Sequence, residues 1–276
     1  YEGLGKQVTP FEMQTVFLKE GVKTTSTGLD LSGTVLFEDN VEGVSVRVSI
    51  PSGTVNFTPR LNLGFEIDNS ELSEFHAIAN GSFELDLDIR GEFGSEITLD
   101  NDDEPIELAS FERTVVQMIG WVPVAEVITL TFEAGFSATA GYGGYLQAGF
   151  ESRTELEYGV EYDGESWETV FTPEYESDPH TPEWNAEAYI QIRGYIRPRL
   201  SVEFYGVAGP WIDIERYLRY DHSVEMNPYS WSYSLVAGIE SSAGIKVHIF
   251  DETLLDANME LLEPPVEETI LSDQGG

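Results

Sequence analysis

The sequence predicts an all-β protein, with antiparallel meanders forming two β-sandwich-like lobes. Three observations predict it: strict two-residue alternation, turn residues spaced between the alternating runs, and a near absence of helical periodicity. The alternation is clearest from Ala186 to Phe204. Ala186, Ala188, Ile190, Ile192, Gly194, Ile196, Pro198, Leu200, Val202 and Phe204 take the even positions, and polar residues, arginines and tyrosines take the odd ones. Successive side chains of an extended chain point to opposite faces, so this segment carries one dry face and one wet face.

The other elements follow in order. Residues 8–18 form an apolar, strand-like segment, and Leu29 to Phe37 alternate up to a turn at Glu38-Asp39-Asn40. Val44 to Ile50 end at Pro51-Ser52-Gly53, whose composition favours a turn. Val55 to Ile67 and Phe83 to Phe93 make two further strands, the latter with Glu84, Asp86, Asp88, Arg90 and Glu92 on its wet face. After residue 120, Ile128 to Ala140 alternate up to a Gly-Tyr-Gly-Gly turn at 141–144. Leu146 to Tyr162 then lead to Asp163-Gly164, a pair suited to a tight hairpin. Residues 173–184, rich in proline and acid, read as a surface loop, and Leu254 to Leu262 as the one short helix.

Aromatic usage divides the chain. Apart from Tyr1, every tyrosine lies at or beyond Tyr142 and every tryptophan at or beyond Trp121. The expected organisation is therefore an N-terminal lobe over 1–119, a Tyr/Trp-rich lobe over 120–262 and an extended tail over 263–276. One sandwich extended by a second fits the same pattern.

Fifty Asp and Glu against fourteen Lys and Arg leave a formal charge of −36 over 276 residues. Such a field repels nucleic acid and anionic membrane surfaces. It also opposes compaction unless ions screen it, which makes a salty or cation-rich setting one expectation and an ordinary acidic surface the other. There is no cysteine, hence no disulfide and no thiol chemistry. No run of apolar residues is long enough for a transmembrane helix.

Four features raise chemistry. Asp100, Asp102, Asp103 and Glu104 crowd hard oxygen ligands at a strand tip, which suits Ca²⁺ but lacks the glycine and distal glutamate of an EF-hand loop. Arg193, Arg197 and Arg199 share one strand face, as a carboxylate or sulfate site would require, and equally as cross-strand pairing with acids would. Tyr189 and Tyr195 stand on that same face, where rings can stack on sugars or on each other. The segment at residues 8–18 can complete a neighbour's sheet or edge its own. The four histidines (His76, His180, His222 and His248) fall in no metal spacing, and neither a G-x-S-x-G elbow nor a P-loop occurs, so no enzyme is expected and no cofactor beyond Ca²⁺.

Trp121-Val122-Pro123, Phe204-Tyr205-Gly206-Val207-Ala208-Gly209-Pro210-Trp211 and Ala237-Gly238-Ile239 through Ala243-Gly244-Ile245-Lys246-Val247 resemble a β-rich segment of large bacterial secreted and surface proteins. The resemblance spans roughly 120–250; it implies export and β architecture, and no catalytic residues. The reading that joins these expectations is a secreted or cell-surface, non-enzymatic structural protein. It would pair with itself, as homo-oligomer or filament, through strand edges or a terminal strand. A carbohydrate-binding or adhesive module with glycan partners is the alternative, and an outer-membrane β-barrel a second one.

Overall fold

The computed structural model describes residues 6–7, 13–25, 28–41, 44–68, 71–94, 96–101, 104–119, 122–141, 143–186, 189–226, 229–249, 252–260 and 265–275. Among them there is no helix, so none is long and apolar enough to cross a membrane. Nineteen strands follow in chain order. They begin with β1 (Lys6–Gln7), β2 (Gln14–Leu18), β3 (Lys23–Thr24), β4 (Leu29–Asp30), β5 (Thr34–Val41) and β6 (Val44–Ile50). Next come β7 (Gly53–Asp68), β8 (Glu71–Phe93), β9 (Ile97–Asp100), β10 (Ile106–Ile119), β11 (Val122–Ala140), β12 (Gly144–Tyr162) and β13 (Trp167–Pro179). The last are β14 (Glu183–Ala186), β15 (Ile190–Phe204), β16 (Ala208–Met226), β17 (Tyr229–Ile249), β18 (Glu252–Glu260) and β19 (Val266–Gly275).

They form two antiparallel sheets. The first runs β13-β12-β8-β7-β4-β3, with β6 beside β8, β5 beside β6, β1 beside β7 and β14 beside β12. The second runs β18-β17-β16-β15-β11-β10-β2, with β19 beside β17 and β9 beside β11. The inner faces meet in a single apolar core. Phe57 of β7 packs edge-on against Phe83 of β8 and crosses to Phe132 of β11, which in turn meets Phe111 of β10, with centroids about 6 Å apart throughout. The even residues of β15 from Ile190 to Val202 are buried, as their alternation predicts.

Several local expectations change. The 173–184 loop is largely strand: β13 pairs with β12 from Phe150↔Pro179 to Tyr162↔Trp167, and β14 takes over from Glu183. At a sheet edge one row of N–H groups faces away from the single neighbour, so Pro173 does not break the strand. The 254–262 helix is also strand over its described residues, as β18 against β17. A helix so short is marginal in water, whereas the ladder supplies partners at once. Most of the 263–276 tail is β19, hydrogen-bonded to Trp231–Ile239, with Val266, Ile270 and Leu271 against the core. Glu38-Asp39-Asn40, expected as a turn, belong instead to β5, which runs on to Val41.

Residue 120 separates no sheets. β8 pairs with β12 and β10 with β11, so both sheets draw strands from either side of that position. The Asp163-Gly164 hairpin holds: Gly164 has φ +94°, and Asp163 Oδ1 accepts hydrogen bonds from the amides of Glu165 (2.9 Å) and Ser166 (2.8 Å).

Candidate functional site

The face of the second sheet that points away from the core carries the arginine and tyrosine residues singled out by alternation. Registers place Glu133 opposite Arg197, Gly135 opposite Tyr195, Thr131 opposite Arg199, and Tyr195 opposite Tyr217. Arg197 donates through Nε (2.9 Å) and Nη2 (2.8 Å) to Glu133, and Arg199 through the same fork to Asp213 (3.2 and 2.7 Å). Arg193 bonds Glu215 and, at 3.3 Å, Glu240. All three guanidinium groups thus meet carboxylates of neighbouring strands.

The tyrosines lie flat within this ladder. A Cβ added to Gly135 would come within 2.1 Å of the Tyr195 ring, and one added to Gly238 within 2.1 Å of Tyr217. Glycine at these positions lets each ring rest on the backbone of the next strand, covering the gap with apolar area. Arg193 then caps Tyr217 at 4.4 Å and Tyr195 at 5.3 Å, and Arg199 caps Trp211 at 4.7 Å. Tyr195 is 2% exposed in consequence, so the face expected to be wet is sealed by its own side chains.

Burial governs the charges here. Loss of hydration pushes the Glu215 carboxyl up to about 7; attraction from Arg193 and Arg197 opposes this, and repulsion from Glu240 adds to it. Asp213 is also raised by burial, against the pull of Arg199. Burial works against the Arg197 cation as well, but Glu133 and its neighbours outweigh it and raise its pKa. At the margin Glu267 is lowered, first by the hydrogen bond from Tyr217 Oη (2.6 Å) and then by Arg219. The ladder is charge-compensated and clamps five strands together; it contains no nucleophile paired with a base.

Beyond its end lies an open cleft of about 730 Å³ on the same face. In register across β15, β16, β17 and β19 stand Gln191, Asp221, Ser234 and Ser272, and in the next row Ser223, Ser232 and Gln274. Ser223 and Ser232 hydroxyls are 2.9 Å apart, and the Gln191 amide donates to Asp221. Tyr189 stands at the rim, 46% exposed. On the opposite side of the sheet, Trp231 stacks on Tyr233, which meets Tyr220 and Trp184, and this aromatic group stiffens the floor. Sequence reasoning found Tyr189 but missed the hydroxyl floor. Its signal was present in Tyr229-Ser-Trp-Ser-Tyr-Ser, where serine takes every second position.

The acidic tip lies only partly within the described residues. Asp100 and Glu104 are exposed, Asp102 and Asp103 lie outside the described residues, and no described group of His, Asp and Glu could hold a metal ion. The terminal segment is the edge strand β2 over its described part, pairing with β10 through Ala109↔Leu18 to Glu112↔Gln14. No family model, curated protein or solved structure matches this chain.

Proposed function

We propose that this protein is a non-enzymatic structural component, acting outside the cell or at its surface, which associates with a second copy of itself through the outer edge of β2. The observation that carries the reading is the composition of that edge. Among the described strands at sheet edges, β2 alone (Gln14-Thr-Val-Phe-Leu18) has neither a charged residue nor a proline. β13 carries Glu168, Glu174, Glu176, Asp178 and Pro173, and β19 carries Glu267, Glu268 and Asp273. Charges and prolines are the ordinary protection against edge pairing, and an edge without them is a template for another strand.

A second copy suits this edge better than another partner. Antiparallel pairing about a two-fold axis at Val16 sets Val16 against its symmetry mate and Thr15 against Phe17, a self-complementary register. Two chains of charge −36 also meet best along an uncharged strand, in salt that shortens the range of their repulsion. Sedimentation in concentrated NaCl over a range of protein concentrations tests this. The native chain is expected to associate and Val16→Lys to remain monomeric with an unchanged melting temperature, since Val16 is 63% exposed. A native chain monomeric throughout, or a variant that associates equally, overturns the reading.

The cleft beside Tyr189 favours a second reading, a glycan-binding role, because a ring at the rim of a hydroxyl and carboxamide floor matches the faces and edges of a sugar.

A further inference from the structure

Arg216 is the largest fully buried side chain among the described residues, 0% exposed, on the core side of β16 between Ile214 and Leu218. Its guanidinium reaches the first sheet, where Nη2 donates to Ser152 Oγ (2.6 Å) on β12 and to Ser177 Oγ (2.9 Å) on β13. The ring of Tyr175 lies 5.2 Å from its central carbon. None of these groups is negative, and among the described residues no carboxylate stands within ion-pair distance. Nε and Nη1 have no hydrogen-bond partner.

The contrast with the outer face of the same sheet is the informative point. There Arg193, Arg197 and Arg199 each meet an acid. In a chain with fifty acids the supply is not short, yet around Arg216 the chain places hydroxyls. Ser152 and Thr154 share the inward face of β12, and Ser177 and Tyr175 stand opposite them in register. Thr154 Oγ1 is likewise buried and without a partner. Glu268 acts on the Arg216 guanidinium electrostatically but makes no ion pair with it. A desolvated guanidinium without a paired counter-charge is strongly disfavoured, and burial lowers its pKa only to about 10, so it stays cationic at neutral pH. Unmet N–H and O–H donors around one enclosed cation are the donor set of an anion site.

We infer that Arg216, with the hydroxyl of Thr154, binds a chloride-sized monovalent inorganic anion between the two sheets. Burial of Arg216, Ser152 and Thr154 restricts the ligand to a small ion, and neutralising the charge favours an anion over water. The anion then locks β16 to β12 and β13, which gives salt a stabilising role separate from screening.

Two measurements test this independently of association through β2. Crystals of the native chain grown in sodium bromide are expected to show a bromide anomalous peak within hydrogen-bond distance of Arg216 Nε or Nη1. The melting temperature is expected to be higher in sodium chloride than in sodium gluconate at equal ionic strength, with the difference lost in Arg216→Met. No anomalous peak at the guanidinium, or an Arg216→Met variant that keeps the full chloride-over-gluconate difference, overturns the inference. If the variant does not fold, the bromide peak alone decides.

Discussion

Glu215 sits in an ion pair, yet removing its charge is expected to stabilise the fold above neutral pH. The perturbation is Glu215→Gln, which keeps the shape of the protonated acid. Its carboxyl is moved from an ordinary 4.5 to about 7, first by burial and against the attraction of Arg193. The folded chain therefore holds a proton that the unfolded chain releases between those values. That contribution is fully present below 4.5 and is lost as pH rises through about 7. The displacement corresponds to on the order of 3 kcal/mol between the two protonation states. Urea unfolding at fixed NaCl concentration is the assay, compared between the native chain and the variant from about pH 4 to about pH 8. The two stabilities should nearly coincide at the acid end and diverge in favour of the variant by up to about 3 kcal/mol at the alkaline end. Self-repulsion of the whole acidic chain changes both alike and cancels in the difference. Parallel curves, or a variant less stable at about pH 8, would show that the pairing with Arg193 outweighs burial and refute the reasoning.

Two further outcomes follow from the same face. Gly238→Val forces the Tyr217 ring off the backbone on which it rests and breaks its bond to Glu267, with an expected loss of about 1–3 kcal/mol by chemical denaturation. In a glycan-array screen, any binding by the native chain should be lost in Tyr189→Ala with no change in melting temperature, because Tyr189 is exposed at the cleft rim.

How much was legible beforehand is seen in particular strands. β15 was readable residue by residue, since its even positions are the buried ones. β18 and β19 were not, because Leu254–Glu260 and the acidic tail hold no clear alternation and are strands by pairing with β17. Arg193, Arg197 and Arg199 were readable as sharing a face. Their partners Glu133, Asp213 and Glu215 were hidden among many equivalent acids: register sets Glu133 opposite Arg197 and Asp213 opposite Arg199, whereas Arg193 stands opposite Arg219 and reaches Glu215 diagonally. Tyr195 was placed on the correct side but not in its true environment. Alternation reports which way a side chain points, not whether a ring lies down over a glycine on the next strand.

Where alternation is clear, as in β15, the sequence by itself determined the extended conformation and the core-facing residue of each pair, and its composition determined the charge of the chain, because period and composition are properties of neighbouring residues. Only the tertiary structure decided which strands lie side by side, which acids neutralise which arginines, and that Arg216 turns inward to meet hydroxyls. Those outcomes depend on contacts between residues far apart in the chain, Glu133 with Arg197 by register within a sheet and Ser152 with Arg216 across the core, which no local pattern encodes.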